Sequence, residues 1–326
     1  MPQKGRPRFG SMGVWPRKRA KNIVPRVRTY RDSDNQKLLA FPVYKAGMTH
    51  TIAKGHRKDS RSEGQNTFVP VTILECPPIK IASVRLYKKE GRDLKVKKQI
   101  NLKVDKEVAR KIPKINNKKA TDKIEVKEEY DDVTIQVYTQ PKKIGLKKKP
   151  ELFEIKIGGK NSEEKIEFIK TIINKPITIK DVFKEGQIVD VHGVTKGKGY
   201  QGPVTRFGIG LKSHKSEKGR RRPGSIGGWI GQHHWQYRVA QAGQLGFHKR
   251  TQFNNLVMKI SDEPTEVNPK GGFVNYGEVT KDYLMIKGSV PGPKKRMLIL
   301  TEPMRPNKET GFKSEYIKYI STESKQ

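Results

Sequence analysis

The sequence contains almost no cysteine and few acidic residues. Cys76 is the only cysteine in 326 residues, which excludes an intramolecular disulfide and a zinc site built from cysteine pairs. No run of about 18 apolar residues occurs, and the N-terminal residues lack the apolar core of a signal peptide. These absences predict a cytosolic protein in a reducing compartment. The 33 acidic residues stand against 69 Lys plus Arg, a net charge of +36, which predicts a permanent polyanionic partner.

The N-terminal segment lacks acidic residues altogether. Residues 1–31 hold ten Lys or Arg, and Pro and Gly interrupt any helical or strand period. We interpret residues 1–36 as a basic arm that is disordered alone, because its small apolar surface cannot offset the entropy of ordering. Trp15 would stack or pack once the arm is bound. A flexible solubilising tail is the alternative interpretation.

A second stretch is equally poor in acids. Thirteen Lys or Arg and a single acid, Glu217, lie between Val191 and Ile260, with glycine throughout and no apolar period of 2.0 or 3.6 residues. We predict an irregular basic extension over residues 193–260. Aromatic residues scattered among the cations could stack on bases or pack at the foot of the loop; they are Tyr200, Phe207, Trp229, Trp235, Tyr237 and Phe247.

The remaining segments have a mainly β pattern. Short runs rich in Val, Ile, Thr and Phe, separated by Pro and Gly, predict a β-barrel with long irregular basic extensions and an α+β insertion. The predicted segments are barrel strands over 37–100 with a polar hairpin loop at Lys54–Gln65, an inserted α/β unit over 101–180, a barrel strand over 181–192, barrel completion over 261–310 and a polar tail over 311–326.

Two local elements are specific enough to predict in detail. In the insert, Asn161 and Glu164 have the spacing of a capping box and begin a helix that continues through Asn174. Near the C-terminus, apolar runs flank Pro-Gly-Pro and predict a hairpin whose tip carries Lys294, Lys295 and Arg296.

The sequence gives little support to catalysis. Gly193–Gly199 lacks the G-K-[ST] ending of a phosphate loop. His233 and His234 are adjacent rather than four apart, so they do not form a metal pair, and the extension has no acid other than Glu217 to orient a catalytic histidine. We therefore predict no catalytic residue, no metal and no cofactor.

Among nucleic acids, structured RNA fits the basic segments better than DNA. A DNA-reading helix needs amphipathic periodicity, whereas these segments are rich in Gly and Pro. Glycine allows close backbone approach to phosphates, and arginine adds bidentate phosphate contacts and stacking. Two alternatives stay open at this point: an RNA-modifying enzyme that docks its substrate on the basic loop, and an architectural nucleic-acid-binding protein.

Several long motifs resemble one known family. They are GSMGVWPRKRA at 10–20, FPVYKAGMTH at 41–50, GVTKGKGYQGPVTRFG at 193–208, GSIGGW at 224–229, VAQAGQLGFHKRT at 239–251, GGFVNYGEV at 271–279, and DYLMIKGSV followed by PGPKKRMLIL at 282–300. Together they resemble the L-three family of universal large-subunit ribosomal proteins over nearly the whole chain, and the insert resembles the archaeal form.

The resemblance implies a fold, a place and a set of partners. It implies a translation-protein-like β-barrel on the large ribosomal subunit, with two projections entering 23S ribosomal RNA and a role in early subunit assembly. The central extension would reach toward the peptidyl transferase centre, with its tip near Trp229–Gln244. The family often has a tryptophan at the tip, where Tyr237 stands here and Trp235 lies two residues away, so either ring could stack. The tract Lys215–Arg222 resembles the part that lines the tRNA accommodation route.

The predicted partners and contact residues follow from both lines of reasoning. Neighbouring large-subunit proteins are expected partners, with tRNA or translation factors reached indirectly, and no membrane, DNA or homo-oligomer is expected. The predicted RNA-binding residues are Arg6, Arg8, Trp15, Arg17, Lys18, Arg19, Lys196, Lys198, Arg206, Lys212, Lys215, Lys218, Arg220, Arg221, Arg222, Trp229, His233, His234, Trp235, Tyr237, Arg238, Gln244, His248, Lys249, Arg250, Lys294, Lys295 and Arg296.

Overall fold

The computed structural model describes residues 11–55, 60–112, 130–173, 175–226, 239–307 and 311–323. They divide into two units. The described parts of Met1–Asn22 and Val194–Arg250 form the first, named here the cationic unit, and the described parts of Ile23–Gly193 and Thr251–Gln326 form the second, the barrel unit. Most regular structure is antiparallel β, which confirms the predicted mainly β fold class.

Six strands pair in a closed ring. In chain order they are β1 (Ala40–Lys54), β2 (Asn66–Glu75), β7 (Ile188–Val194), β10 (Lys249–Ser261), β11 (Tyr283–Lys287) and β12 (Met297–Thr301). The order of pairing is β1–β2–β11–β10–β7–β12, and β12 pairs back onto β1 with Ala40 opposite Thr301. This closure makes a barrel, because no strand of the ring keeps an unpaired edge along that seam. A short strand, β13 (Ile317–Ile320), adds to the distal half of β1.

A second antiparallel sheet forms the insert. Its strands are β3 (Ile79–Glu90), β4 (Asp93–Asn101), β5 (Asp132–Thr139) and β6 (Leu152–Lys156), in the order β4–β3–β5–β6. The helix α1 (Ser162–Ile172) lies against β5 and buries Ile166 and Ile169. Single-turn 3-10 helices occur at Met12–Val14, Lys106–Arg110, Pro141–Ile144, Ile179–Asp181, Pro264–Glu266 and Ser314–Tyr316.

The core of the barrel unit consists of buried β-branched, leucine and aromatic side chains. One cluster joins the barrel and the insert through residues such as Phe41, Leu86 and Ile135. Another, around Ile73 and Tyr283, lies toward the strand ends near β13. The polar loop at Lys54–Gln65 connects β1 to β2 as predicted, and its residues 56–59 lie outside the described part of the chain.

The structure corrects four of the sequence predictions. β3 and β4, placed in the barrel by the sequence analysis, belong to the insert sheet because β3 pairs with β4 and β5; the insert therefore begins near Ile79 rather than at residue 101. β11 and β12 are not a hairpin: β11 pairs with β10 and β2, and β12 pairs with β7 and β1. The α1 cap also differs, because Asn161 makes no side-chain cap and the Glu164 carboxylate accepts from the Lys160 N–H instead. Finally, residues 193–260 contain the barrel strand β10.

Part of the predicted arm packs against the core of the barrel unit. In the barrel unit, Val24, Val27 and Tyr30 pack against the core, so apolar residues spaced along an otherwise basic segment fasten it. The part of the arm before Ile23 belongs to the cationic unit and is described below.

Candidate nucleic-acid interface

The foot of the central extension has regular structure. The strands β8 (Gly197–Gln201) and β9 (Gly243–Gly246) pair antiparallel, and the short helix α2 (Pro203–Phe207) follows β8. Gly246 has φ +73°, and a Cβ there would lie 2.0 Å from the carbonyl oxygen of Lys196. Only glycine fits this position, because both the backbone conformation and the close approach exclude a side chain.

Arg206 joins the outgoing and returning halves of the extension. Its Nε donates to the carbonyl of Gln244 at 3.1 Å, and its Nη1 donates to the carbonyl of Gln241 at 2.9 Å. The guanidinium also lies over the ring of Phe207, 5.1 Å from its centroid, and next to Gly243. Arg206 was predicted to contact RNA, and within the protein its contacts fix the shape of the extension foot.

The arm packs on the same foot through Phe207. Trp15 contacts the Phe207 ring with centroids 5.7 Å apart, and the Arg17 guanidinium lies 4.4 Å from the Phe207 centroid. Arg17 Nη1 also donates to the carbonyl of Arg206 at 2.8 Å. Phe207 is therefore enclosed by Trp15, Arg17 and Arg206 and is only 4% exposed, so it is a core residue of this unit rather than a free stacking face.

A second set of contacts fastens the arm beside β9. The N–H of Ala20 donates to the carbonyl of Phe247 at 2.8 Å, and the Arg19 guanidinium lies 5.5 Å from the Phe247 ring centroid. The Nδ1 of His248 donates to the carbonyl of Lys18 at 2.8 Å. The two basic segments that the sequence analysis treated separately thus form one unit.

His248 is held in the neutral state. Burial lowers the pKa of its imidazole, and the nearby charges of Arg250, Arg17 and Arg206 lower that pKa further, while the hydrogen bond to Lys18 opposes the shift. Since Nδ1 carries the proton, Nε2 is an acceptor; it is buried and has no hydrogen-bond partner among the described residues. Protonation would place a charged donor there without an acceptor.

This arrangement predicts a pH dependence of the cationic unit. The unfolded chain binds a proton near the ordinary histidine pKa of 6.5, whereas the folded unit binds it only at lower pH. The stabilising contribution is therefore present above pH 6.5 and is lost as the pH falls below it. After correction for the intrinsic exchange rate at each pH, we expect the amide of Ala20 to exchange its hydrogen faster at pH 5 than at pH 7. A His248→Gln variant should show a flat profile; a wild-type profile that is flat as well would contradict the assignment.

The other predicted residues of the cationic unit divide by exposure. Ten cationic side chains lie at the surface: Lys18, Arg19, Lys196, Lys198, Lys215, Lys218, Arg220, Arg221, Arg222 and Lys249. Four further cations are half-buried, and they are Arg17, Arg206, Lys212 and Arg250. Trp15 and Gln244 are half-buried as well. The predictions at Arg6, Arg8, Trp229, His233, His234, Trp235, Tyr237 and Arg238 lie outside the described residues.

The predicted Pro-Gly-Pro tip belongs to the barrel unit and makes contacts within it. The ammonium of Lys45 donates to the carbonyls of Val290 and Gly292, and the Lys294 ammonium donates to the carbonyl of Val274 at 2.8 Å. Burial lowers the pKa of the Arg296 guanidinium. Lys295 is exposed, so of the three predicted tip cations it is the one the fold leaves at the surface.

The cationic unit has almost no internal countercharge. The sequences 1–22 and 194–250 together contain nineteen Lys or Arg and one acid, Glu217. These 79 residues therefore carry half of the +36 net charge of the whole chain. Tyr200, whose side chain is 77% exposed, adds a free aromatic ring on β8. Cations and an exposed ring on a shaped backbone form a surface suited to phosphates and unpaired bases.

Comparison with known proteins decides the family. A family model described as Ribosomal protein L3 matches residues 1–326. The chain belongs to this family. It is 45% identical to the large ribosomal subunit protein uL3 of Methanococcus aeolicus, covering 99% of this chain and 98% of the relative. It is also 45% identical to that of Methanocaldococcus jannaschii, with 98% of both chains covered, and 46% identical to that of Nanoarchaeum equitans over 100% of both.

Membership confirms the resemblance seen in the motifs. Proteins of this family are structural components of the large ribosomal subunit rather than enzymes, and the relatives named above are archaeal. The chain therefore belongs in the cytoplasmic ribosome, together with ribosomal RNA and other ribosomal proteins. No helix in the described residues is long and apolar enough to cross a membrane. Within the same residues, no group of three or more His, Cys, Asp or Glu could hold a metal ion.

Proposed function

We propose that the cationic unit is the main 23S ribosomal RNA-binding surface of this protein. The observation that carries the proposal is the charge of this unit: its described residues hold fifteen cations and one carboxylate, from two segments distant in sequence that pack into one unit. Self-repulsion of this size opposes a compact unit in isolation, whereas phosphates in an RNA junction supply the countercharge and release condensed cations. The protein itself has no catalytic step in this proposal.

The scaffold determines which groups face the RNA. Arg206, His248 and Phe207 are engaged inside the unit and hold its shape, while the exposed cations along β8 and Lys215–Arg222 remain available for phosphates. The Tyr200 ring is available to stack on a base. Beyond this foot, the extension would carry its tip toward the peptidyl transferase centre, and the whole unit would join RNA domains early in subunit assembly.

The salt dependence of RNA binding tests this proposal. Replacing Arg220, Arg221 and Arg222 by Gln removes three exposed cations from the cationic unit. Each lost phosphate contact reduces the magnitude of the slope of log K against log salt by about 0.7–0.9. We therefore expect the magnitude of this slope to fall by about two in titrations of ribosomal RNA with the variant. The matched control replaces Lys95, Lys97 and Lys98 of β4 by Gln, which removes the same charge from the insert.

The two triple variants give opposite outcomes if the proposal holds. The Arg220–Arg222 variant has a shallower salt-dependence slope and a lower affinity for RNA. The β4 variant keeps the wild-type affinity, and its slope changes by no more than about 0.3. Equal losses in the two variants would mean that the protein binds RNA through its net charge alone. That result would remove the special role assigned to the cationic unit.

A further inference from the structure

An exposed aromatic ring with an arginine over it lies on the barrel unit, and neither residue is among the predicted RNA-binding residues. Phe253 of β10 is 44% exposed. The guanidinium carbon of Arg305, from the segment after β12, lies 5.0 Å from the Phe253 ring centroid. Both side chains would be expected to move freely at a surface, so the pairing needs a physical cause.

The cause is a buried carboxylate that joins the two segments. Asp190 of β7 has no exposed surface. Its Oδ1 accepts from the N–H of Asn254 at 2.8 Å, and its Oδ2 accepts from the N–H of Met304 at 2.9 Å. Each bond fixes the residue next to one member of the pair, so Asp190 holds Phe253 and Arg305 in register. Asn254 has φ +55°, a conformation that turns the chain sharply after Phe253.

Two groups in this cluster could each make a further polar interaction. No ion pair in the described parts of the chain includes Arg305. The Oδ1 of Asn254 is buried and accepts no hydrogen bond from the described residues. Buried acceptors without donors are rare in folded proteins, and each needs an explanation, such as strain or a bound water or ion. The cluster thus offers a cation, a π-face and an acceptor within neighbouring residues.

We propose that Phe253, Arg305 and Asn254 form a binding site for one unpaired nucleotide of ribosomal RNA. The base would stack on the Phe253–Arg305 pair, extending an arrangement in which the guanidinium already lies over a ring. The Arg305 charge would attract the adjacent phosphate, and the Asn254 Oδ1 would accept a hydrogen bond from the nucleotide. Asp190 is a positioning residue. This site uses none of the residues of the cationic unit.

The chemistry of the cluster favours RNA over a protein partner. Arg305 has no ion-pair partner among the described residues and lies over a phenylalanine ring, so the pair is suited to a ligand that is both planar and anionic. A nucleotide provides both properties, the plane in its base and the charge in its phosphate. A protein interface at this position would be expected to bring a carboxylate to Arg305 or an apolar side chain to Phe253. The large subunit to which this family belongs contains ribosomal RNA, so the ligand is present in the protein's own assembly.

Photo-crosslinking in assembled large subunits identifies the partner. A benzophenone-bearing phenylalanine analogue replaces Phe253 in one sample and Phe68 in another. Phe68 is a suitable control because it is also an exposed phenylalanine of the barrel unit, at 67% exposure, but it stacks on His50 rather than on an arginine. We expect position 253 to crosslink to a few ribosomal RNA nucleotides at least about fivefold more than position 68 does. A crosslink from position 253 only to a ribosomal protein, or no crosslink to any macromolecule, would overturn the proposal.

Conservative variants test the chemistry of the contact. Phe253→Leu keeps an apolar side chain without a π-face, and Arg305→Lys keeps the charge without the planar guanidinium. In subunits that contain either variant, the ribosomal RNA nucleotides that crosslink to position 253 should react about threefold or more faster with a chemical probe of unpaired nucleotides. The melting temperature of each free variant shows whether the barrel remains folded. A folded variant whose subunits show unchanged reactivity would overturn the proposal, and neither outcome depends on RNA binding by the cationic unit.

Discussion

Large subunits should accumulate poorly when residues 211–240 are replaced by a six-residue Gly-Ser linker. This change removes seven of the nineteen cations in the sequences 1–22 and 194–250 and leaves β8, α2 and β9 in place. If about half of these cations contact phosphates, at about 1 kcal/mol each, RNA affinity falls by about 3 kcal/mol, or roughly a hundredfold. Sucrose-gradient profiles and quantification of this protein in purified subunits measure the effect.

A second replacement controls for the loss of chain. The same linker in place of residues 113–129 removes five lysines and four acids from the insert, almost without a change in net charge. We expect near-normal subunit yield from that variant. In both variants the free protein should melt within about 3 °C of the wild type, because the buried clusters lie outside the replaced residues. Normal subunit yield with the 211–240 replacement would contradict the proposed role of the extension.

Arg206→Lys should weaken RNA binding by about 30-fold although the net charge is unchanged. Lysine cannot donate to the Gln241 and Gln244 carbonyls together in the fork geometry of a guanidinium, and it does not stack on Phe207 in the same way. A loss of about 2 kcal/mol at the extension foot is expected from hydrogen bonds to a charged group. Filter binding gives the affinity, and hydrogen exchange of the Phe247 amide, which donates to Lys196, reports on the foot.

The matched control is Arg220→Lys in the exposed tract. Arg220 lies at the surface, and lysine retains its charge for phosphates, so this variant should bind RNA within about threefold of the wild type. Both variants carry the same charge, and the difference between them isolates the positioning role of Arg206. If Arg206→Lys bound and exchanged like the wild type, the foot would not depend on the bridge described here.

Local sequence patterns predicted individual strands well but could not assign them to sheets. The loop after Lys54 was predictable because a polar run separates two apolar ones, and β1 and β2 pair directly across it. β3 has the same alternation as β2, and nothing local indicates that its partners are β4 and β5. The Pro-Gly-Pro segment likewise has the composition of a turn, yet the strands on either side lie in different parts of the ring.

The candidate site shows the same limit. The cation count identified both basic segments, because charge is a property of composition. Their assembly into one unit depends on contacts such as Arg17 with Arg206, which are 189 residues apart in sequence. A signal was nevertheless present: Phe207 is an aromatic residue at the end of a short Pro-led helix in a glycine-rich tract, where it has the size to form a small core. The Phe253–Arg305 pair had no sequence signal, because a buried aspartate creates it.

Lysine footprinting of the free protein and of the assembled large subunit shows whether the cationic unit lies against RNA. An amine-acylating reagent is applied to both samples, and mass spectrometry gives the labelling rate of each lysine. We expect Lys196, Lys198, Lys215 and Lys218, all exposed in the structure, to become at least about tenfold less reactive in the subunit. Unchanged labelling rates at these four lysines would show that the cationic unit does not lie against RNA.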